Sequence, residues 1–258
     1  MGMGINKIAA AGKTKWRLTS FATILALSLC FTQTAMATPS SQIRIPSVDI
    51  QPYDRIHFGV DTFNSIGSKS SEATANTINY GLTFGLLQDA DIFGIEMGAD
   101  FRDISGDSRN PFLYNAKMGM KEGTTFLGVP APAVVLGIFD FGINGNSNIV
   151  YLLTATTFDP IGRLSVGYAK GNSKTLETVT NSSGTGDESG VMFSWDRHLS
   201  GKLWAAVDYL GSDGPYGALS FGMSYALSER SKFLLGYVVY NNSNLHQPAI
   251  TFQFDMDL

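Results

Sequence analysis

The sequence predicts an all-β chain, a transmembrane antiparallel up-and-down β-barrel of about twelve strands, within a range of about ten to fourteen. Three observations predict it. After residue 37 the side chains alternate with period two, large apolar against small or polar, as they do on a strand with two different faces. The alternating runs are mostly about nine to eleven residues long, which a tilted membrane-spanning strand needs; strands of soluble sheets are usually about five or six. The links between runs are short at one end and longer at the other, the asymmetry of membrane barrels.

The first 37 residues read differently. Lys7, Lys13, Lys15 and Arg17 make a basic leader without acidic residues, Phe21 to Phe31 is a short apolar core, and Ala35-Met36-Ala37 is a small-x-small site. That order describes a secretory signal peptide, and the apolar stretch is too short for a bilayer-spanning helix of roughly 20 residues. The alternative is a disordered leader. Leu27-Ser28-Leu29-Cys30 faintly resembles a lipoprotein box, but Leu29 is too large for its position. Cleavage after Ala37 removes Cys30, the sole cysteine, and with it disulfide and thiolate chemistry. It also takes the basic count from 18 to 14 against 22 acidic residues, a net charge of −8 that disfavours a nucleic-acid partner. Residues 38–53 are expected to be a periplasmic N-terminal segment, and 54–258 the barrel.

Twelve candidate strands follow, near 54–63, 78–87, 91–102, 112–121, 133–142, 148–158, 162–170, 190–198, 202–210, 216–227, 232–240 and 248–258. Ile78, Tyr80, Leu82, Phe84 and Leu86 alternate with Asn79, Gly81, Thr83 and Gly85. Phe93, Ile95, Met97, Ala99 and Phe101 alternate with Gly94, Glu96, Gly98, Asp100 and Arg102. The last run sets Ile250, Phe252, Phe254, Met256 and Leu258 against Thr251, Gln253, Asp255 and Asp257. Runs 133–142 and 148–158 are apolar on both faces, which implies either an occluded interior or packing against something inside. Strand glycines such as Gly59, Gly81, Gly85, Gly222 and Gly236 imply a strongly curved wall around a crowded or narrow lumen. Tyr80, Tyr114, Tyr168, Trp195, Tyr209, Tyr225 and Tyr237 supply aromatic girdles.

With the N-terminus in the periplasm, links 88–90, 122–132, 159–161, 199–201 and 228–231 fall at the periplasmic end. Links 64–77, 103–111, 143–147, 171–189, 211–215 and 241–247 fall at the outer end. The link 122–132 is the long exception, and its Val129-Pro130-Ala131-Pro132 is expected neither to complete a ladder nor to continue a strand. A soluble sandwich would carry more charge on its polar face than these Gly, Ser, Thr and Asn residues.

From Asp54 to Leu258 the chain resembles bacterial outer-membrane barrel proteins. The specific piece is the alternating terminal strand Pro248 to Leu258, of the kind the barrel-assembly machinery reads, although this chain ends in Leu258 with Phe254 inward. The stretches Pro132–Gly142, Gly162–Tyr168 and Trp204–Tyr209 also resemble a poorly characterised, porin-like group of such barrels. The resemblance implies the cell outer membrane, with membrane lipid and the assembly machinery as partners.

No catalytic, cofactor-binding or metal-binding motif stands out. His57, His198 and His246 lack metal-ligand spacing and read as one lumen and two rim residues. Outer-membrane phospholipases carry a His-x-Ser-Asn-Gly type motif; Asn242-Ser243-Asn244-Leu245-His246 has several of these residue types in the wrong order. No phosphate-cradling loop or calcium motif appears. What remains is the polar face, which places Arg55, His57, Asp61, Glu96, Asp100, Arg102, Lys117, Lys121, Asp140, Arg163, Asp196 and Asp208 in or near the lumen. Glu96, Asp100 and Arg102 face Lys117 and Lys121 across strands. A water-filled lumen makes a small passive diffusion channel for ions or small polar solutes, with overall acidity favouring cations. A fully ion-paired lumen makes a closed structural or surface-interaction barrel. A lipid-modifying enzyme is the third alternative.

Overall fold

The computed structural model describes residues 41–66, 76–87, 92–104, 111–142, 148–177, 187–244 and 246–258. The leader 1–37 and its cleavage site lie outside the described residues, as does all or part of the links 64–77, 88–90, 103–111, 143–147, 171–189 and 241–247.

Among the described residues fourteen strands are formed: β1 (Ile56–Ser65), β2 (Thr77–Gly85), β3 (Phe93–Ile104), β4 (Phe112–Met120), β5 (Thr125–Phe126), β6 (Val129–Pro130), β7 (Ala133–Phe141), β8 (Ile149–Phe158), β9 (Gly162–Lys170), β10 (Ser189–His198), β11 (Leu203–Leu210), β12 (Ala218–Ala226), β13 (Ser231–Tyr240) and β14 (Ala249–Asp257). Twelve of them, all but β5 and β6, make one closed barrel in which each strand pairs with its sequence neighbours. β1 and β14 close it antiparallel, from His57 opposite Asp257 to Ser65 opposite Ala249. Closure satisfies the backbone without leaving an edge, a requirement within hydrocarbon.

The alternation sorts the two faces. In β8, Leu152 is 54% exposed and the next residue, Leu153, is 0%. Tyr80, Leu82, Phe84, Met97, Met118, Val166, Phe193, Phe221, Leu235 and Phe252 are likewise exposed and large. So much apolar surface facing outward around a whole barrel is the mark of a lipid-facing wall. The chain is thus a transmembrane up-and-down barrel of twelve strands. Tyr114 and Tyr168 lie on it toward one end, Trp195 and Tyr225 toward the other.

The end carrying Ile56 and Asp257 is termed the near end. Its links are short except 121–132. That link, expected to be irregular, instead forms a two-stranded ladder, with Thr125 opposite Pro130 and Phe126 opposite Val129. Leu127 and Gly128 both have positive φ, 52° and 83°, the two-residue turn whose twist suits a hairpin. Pro130 is tolerated because its missing N–H faces no third strand.

Two further departures matter for the site. β1 begins at Ile56 rather than Asp54, because Asp54 turns the chain with φ 63°. Residues 41–53, read from the sequence as a segment ahead of the barrel in the periplasm, run inside it. Ile43, Ile45, Val48 and Ile50 are buried there, and among the described residues the segment's one wall bridge is Tyr53 with Gly85. The core of the molecule is therefore the filled lumen.

Candidate functional site

The inserted segment turns within the lumen and runs from there to the near end, where Tyr53 meets Gly85. Its turn is tied by a bridge between Ser41 and Pro46 and by the Gln42 N–H donating to Ile45 O at 2.8 Å. At the top of the turn, the N–H groups of Ile43, Arg44 and Ile45 all donate to Asp208 Oδ2, at 2.9, 2.7 and 3.2 Å. Successive N–H groups converging on one oxygen form an anion nest, here filled by a wall carboxylate. Gln253 donates to Ile43 O at 2.8 Å, and Gln42 to Asp196 Oδ1 at 2.9 Å. The Arg44 guanidinium reaches toward the far end, bonds Tyr240 Oη and Pro215 O, and lies over the Phe63 and Tyr240 rings.

On the way to the near end, Asp49 takes a bidentate pair from Arg163 at 2.7 and 2.9 Å, while Arg163 Nε holds Asp196 at 2.9 Å. Lys117 donates to Ser47 O at 3.1 Å and lies 3.3 Å from Glu96, whose other oxygen accepts the Gln51 N–H at 2.6 Å. Gly85 explains itself here: a Cβ on it would collide with the carbonyls of Gln51 and Pro52. Gly222 does the same for Ile43, whose Cγ1 and Cδ1 lie 3.0 Å from where its Cβ would stand.

The lumen has two unlike walls. On β7 and β8, and at the far ends of β9 to β11, the inward residues Val135, Ile149, Tyr151, Leu153, Ala155, Ala169, Met192 and Leu210 pack against Ile45, Val48 and Ile50, and Leu176 from the far-end link closes the cluster. This is the dry wall, and it answers why the runs at β7 and β8 are apolar on both faces. On β1 to β3 and β14 the inward rows are mostly polar, and β13 adds Lys232 beside the apolar Leu234 and Val238. His57 sits between Asp257 (2.9 Å) and Asp255 (3.1 Å), with Lys232 3.8 Å from Asp255. Gly59 pairs with Gly81 and Gly81 with Asp100; Asp61 pairs with Asn79 and Asn79 with Arg102. Several of these groups keep contact with solvent: the Arg102 and Asp257 side chains are each 22% exposed, and Asp61 and Asp100 are half-buried.

Arg102 grips Asp140 bidentately, at 2.6 and 2.9 Å. Asp140 reaches the lumen through a β-bulge: the β4–β7 register shifts between Tyr114 and Ala116, and Asp140 has φ 55°. Tyr216, in the far-end link 211–217, accepts from Arg102 at 3.0 Å and donates to Asp140. Burial, with the Asp140 carboxylate, pushes the Tyr216 phenol well above its ordinary value, so it stays a donor.

Of the twelve sequence-predicted lumen residues, the structure places His57, Glu96, Lys117, Asp140, Asp196 and Asp208 buried, and Asp61, Asp100, Arg102 and Arg163 half-buried. Arg55 and Lys121 do not join them. They are exposed, one just before β1 and one just after β4, beyond the ladders that aim side chains inward. The expected cross-strand partners also differ. Glu96 pairs with Lys117, but Arg102 reaches past β4 to Asp140, and Asp100 accepts from Asn115 at 3.0 Å. His198 is exposed at the end of β10; His246 is buried against the Tyr240 ring. Among the described residues, no group of three His, Cys, Asp or Glu gathers as a metal site. Sequence reasoning missed Gln42, Ile43, Arg44, Asp49, Gln51, Tyr216, Lys232 and Gln253.

One row stands out. Ser165, Ser194, Asp208 and Ser220 are register partners across β9, β10, β11 and β12, all buried under the inserted segment. The hydroxyls of Ser165 and Ser194 have no partner among the described residues. A buried polar group left unmatched costs about 1–3 kcal/mol.

No family model and no curated protein matches the sequence. Among solved structures, the barrel is similar to the KdgM porin in complex with disordered oligogalacturonate, 8% identical, TM-score 0.48, over 78% of this chain and 98% of that one. It is also similar to the outer membrane protein Omp33 of Acinetobacter baumannii, at 9% identity and TM-score 0.42 over 79% and 98% of the chains. A third is the outer membrane phospholipase A of Escherichia coli, at 14% and 0.44 over 81% and 94%. Porins and a phospholipase share this architecture, so no activity transfers with it.

Proposed function

We propose that this chain, exported by its leader and inserted in the cell outer membrane, is a narrow passive channel for ions or small polar solutes. The observation that carries this reading is the asymmetry of the lumen. On the side formed by β1 to β3 and β14, Asp257 at the near end, Asp61 and Asp100 between, and Arg102 toward the far end keep partial solvent contact, while the opposite wall is dry. Of the acidic groups on the wet side, Asp255, Asp257 and Asp140 have basic partners, whereas Asp61 and Asp100 face the remaining space without a salt bridge among the described residues. The overall acidity of the chain supports a preference for cations. The pairing of β1 with β14 supports handling by the barrel-assembly machinery.

The test is conductance of purified, folded protein in a planar bilayer under a KCl gradient. A small current with a cation-selective reversal potential is expected; a silent protein would sink the reading. A second reading, a closed structural or surface-interaction barrel, draws on the segment 41–53 in the lumen and the ion pairs that hold it. It expects that silence.

A further inference from the structure

We propose that residues 41–53 are a releasable plug, and that the serine-lined wall of β9 to β12 beneath them is the path of an open state that passes hydrated cations. This rests on the channel reading above but concerns a different wall of the lumen.

Four observations carry it. First, the barrel does not need the segment to close. Its ladder runs from β1 round to β14, and among the described residues one backbone bridge, Tyr53 to Gly85, ties the segment to it. Second, much of what holds the segment is polar and exchangeable for water: the nest on Asp208, the Asp49–Arg163 pair, the Gln42–Asp196 bond and the Lys117–Ser47 bond.

Third, the wall under the turn is built for water. A wall that only ever met Ile43 and Ile45 would be apolar, as β7 and β8 are. Beside Trp204 and Ala206, which pack on Ile43, it instead presents Ser165, Ser194, Asp208 and Ser220, with two hydroxyls unmatched among the described residues while the plug is in place. Those hydroxyls gain partners when water enters. Fourth, release strands no buried charge. Arg163 keeps Asp196, and the segment takes away one cation and one anion, Arg44 and Asp49. Asp208 loses its three N–H donors and becomes the bare carboxylate of the new path, which selects the cation.

Two variants test this by single-channel recording. The first deletes residues 41–53, with folding checked by heat-shifted mobility on a denaturing gel. The second is Ile43→Cys with Gly222→Cys, a pair in direct contact, Ile43 Cγ1 lying 3.0 Å from where a Cβ at 222 would stand, which introduces the only cysteines after Cys30. The expected result is a several-fold larger conductance on deletion. Oxidation of the tether should abolish any large open level, and reductant should restore it. Asp208→Asn in the deletion background should shift the reversal potential toward zero.

If the deletion variant conducts as the full chain does, or if oxidation changes nothing, the plug is overturned while the narrow-channel reading stands. A silent full chain with a conducting deletion variant supports the plug and overturns the narrow cleft. Silence in every form overturns both. Should the deletion variant not fold, the tethered pair decides alone.

Discussion

The two sides of this lumen solve the same problem in opposite ways. The wall of β7, β8 and the far ends of β9 to β11 fills its interior with apolar side chains and borrows more of them, Ile45, Val48 and Ile50, from residues 41–53. The β1 to β3 wall fills little. It carries Gly59 and Gly81, the second leaving room for the Asp100 carboxyl, and lines the remaining space with Asp61, Asp100 and Arg102. One wall is a folding core turned inside a barrel, where packing sets stability. The other tolerates charge because water and opposite charges reach it. Stability and permeation are thereby assigned to different strands, and substitutions on the two sides should separate them.

The largest effect belongs to the dry wall. Leu153→Asp buries a carboxylate in the cluster that holds Val135, Met192 and Ile45. It should prevent recovery of heat-modifiable folded barrel altogether, whereas Leu153→Ala should fold with a loss of about 2–5 kcal/mol. Denaturant titration in detergent measures both. A folded, normally stable Leu153→Asp protein would show that water already reaches this wall.

At the seam between the walls stands the Glu96–Lys117 pair, each side chain 2% exposed. Lys117→Met leaves Glu96 buried with only the Gln51 N–H, and should cost about 3–5 kcal/mol. Adding Glu96→Gln should restore much of it. A double variant as unstable as the single one would mean that the pair does not act as a unit. A smaller loss is expected of Tyr216→Phe. It removes the hydroxyl between Arg102 and Asp140 but keeps the ring packed on Phe139, for about 1.5–3 kcal/mol. No change in unfolding midpoint would sink that assignment.

How far the sequence reaches follows the same division. Strand number, polarity of each face and barrel closure were legible because period-two alternation is local and every lipid-facing position repeats it. So was the inward aim of His57, Glu96, Lys117 and Asp208, which follows from phase alone. The inserted segment was not, because its partners are all distant in sequence: Ile43 meets Asp208 and Gln253. One signal pointed to it. Ser41 to Tyr53 carries four aliphatic residues, which a solvated leader segment does not need, and β7 and β8 carried apolar residues on both faces with nothing to pack against. Each oddity is the other's complement. The Arg102–Asp140 pair escaped for another reason: a bulge at Asp140 breaks the very alternation used to assign faces.

The smallest stability effect, and the sharpest contrast, comes from one chemical change made on each side. Asp208 is fully buried and accepts three N–H groups from the inserted segment, so Asp208→Asn trades a charge-assisted nest for a weaker one and should lower stability by about 1.5–3 kcal/mol. Asp61 is half-buried on the wet wall with no salt bridge, so Asp61→Asn should change stability by no more than about 0.5 kcal/mol. Its effect should appear in selectivity instead. With one carboxylate fewer beside the water path, the cation preference measured by reversal potential under a salt gradient should fall, and fall most at low ionic strength, where screening is weakest. If Asp61→Asn destabilises the barrel as Asp208→Asn does, the wet wall is a second core. If it leaves both stability and selectivity untouched, ions do not pass along β1.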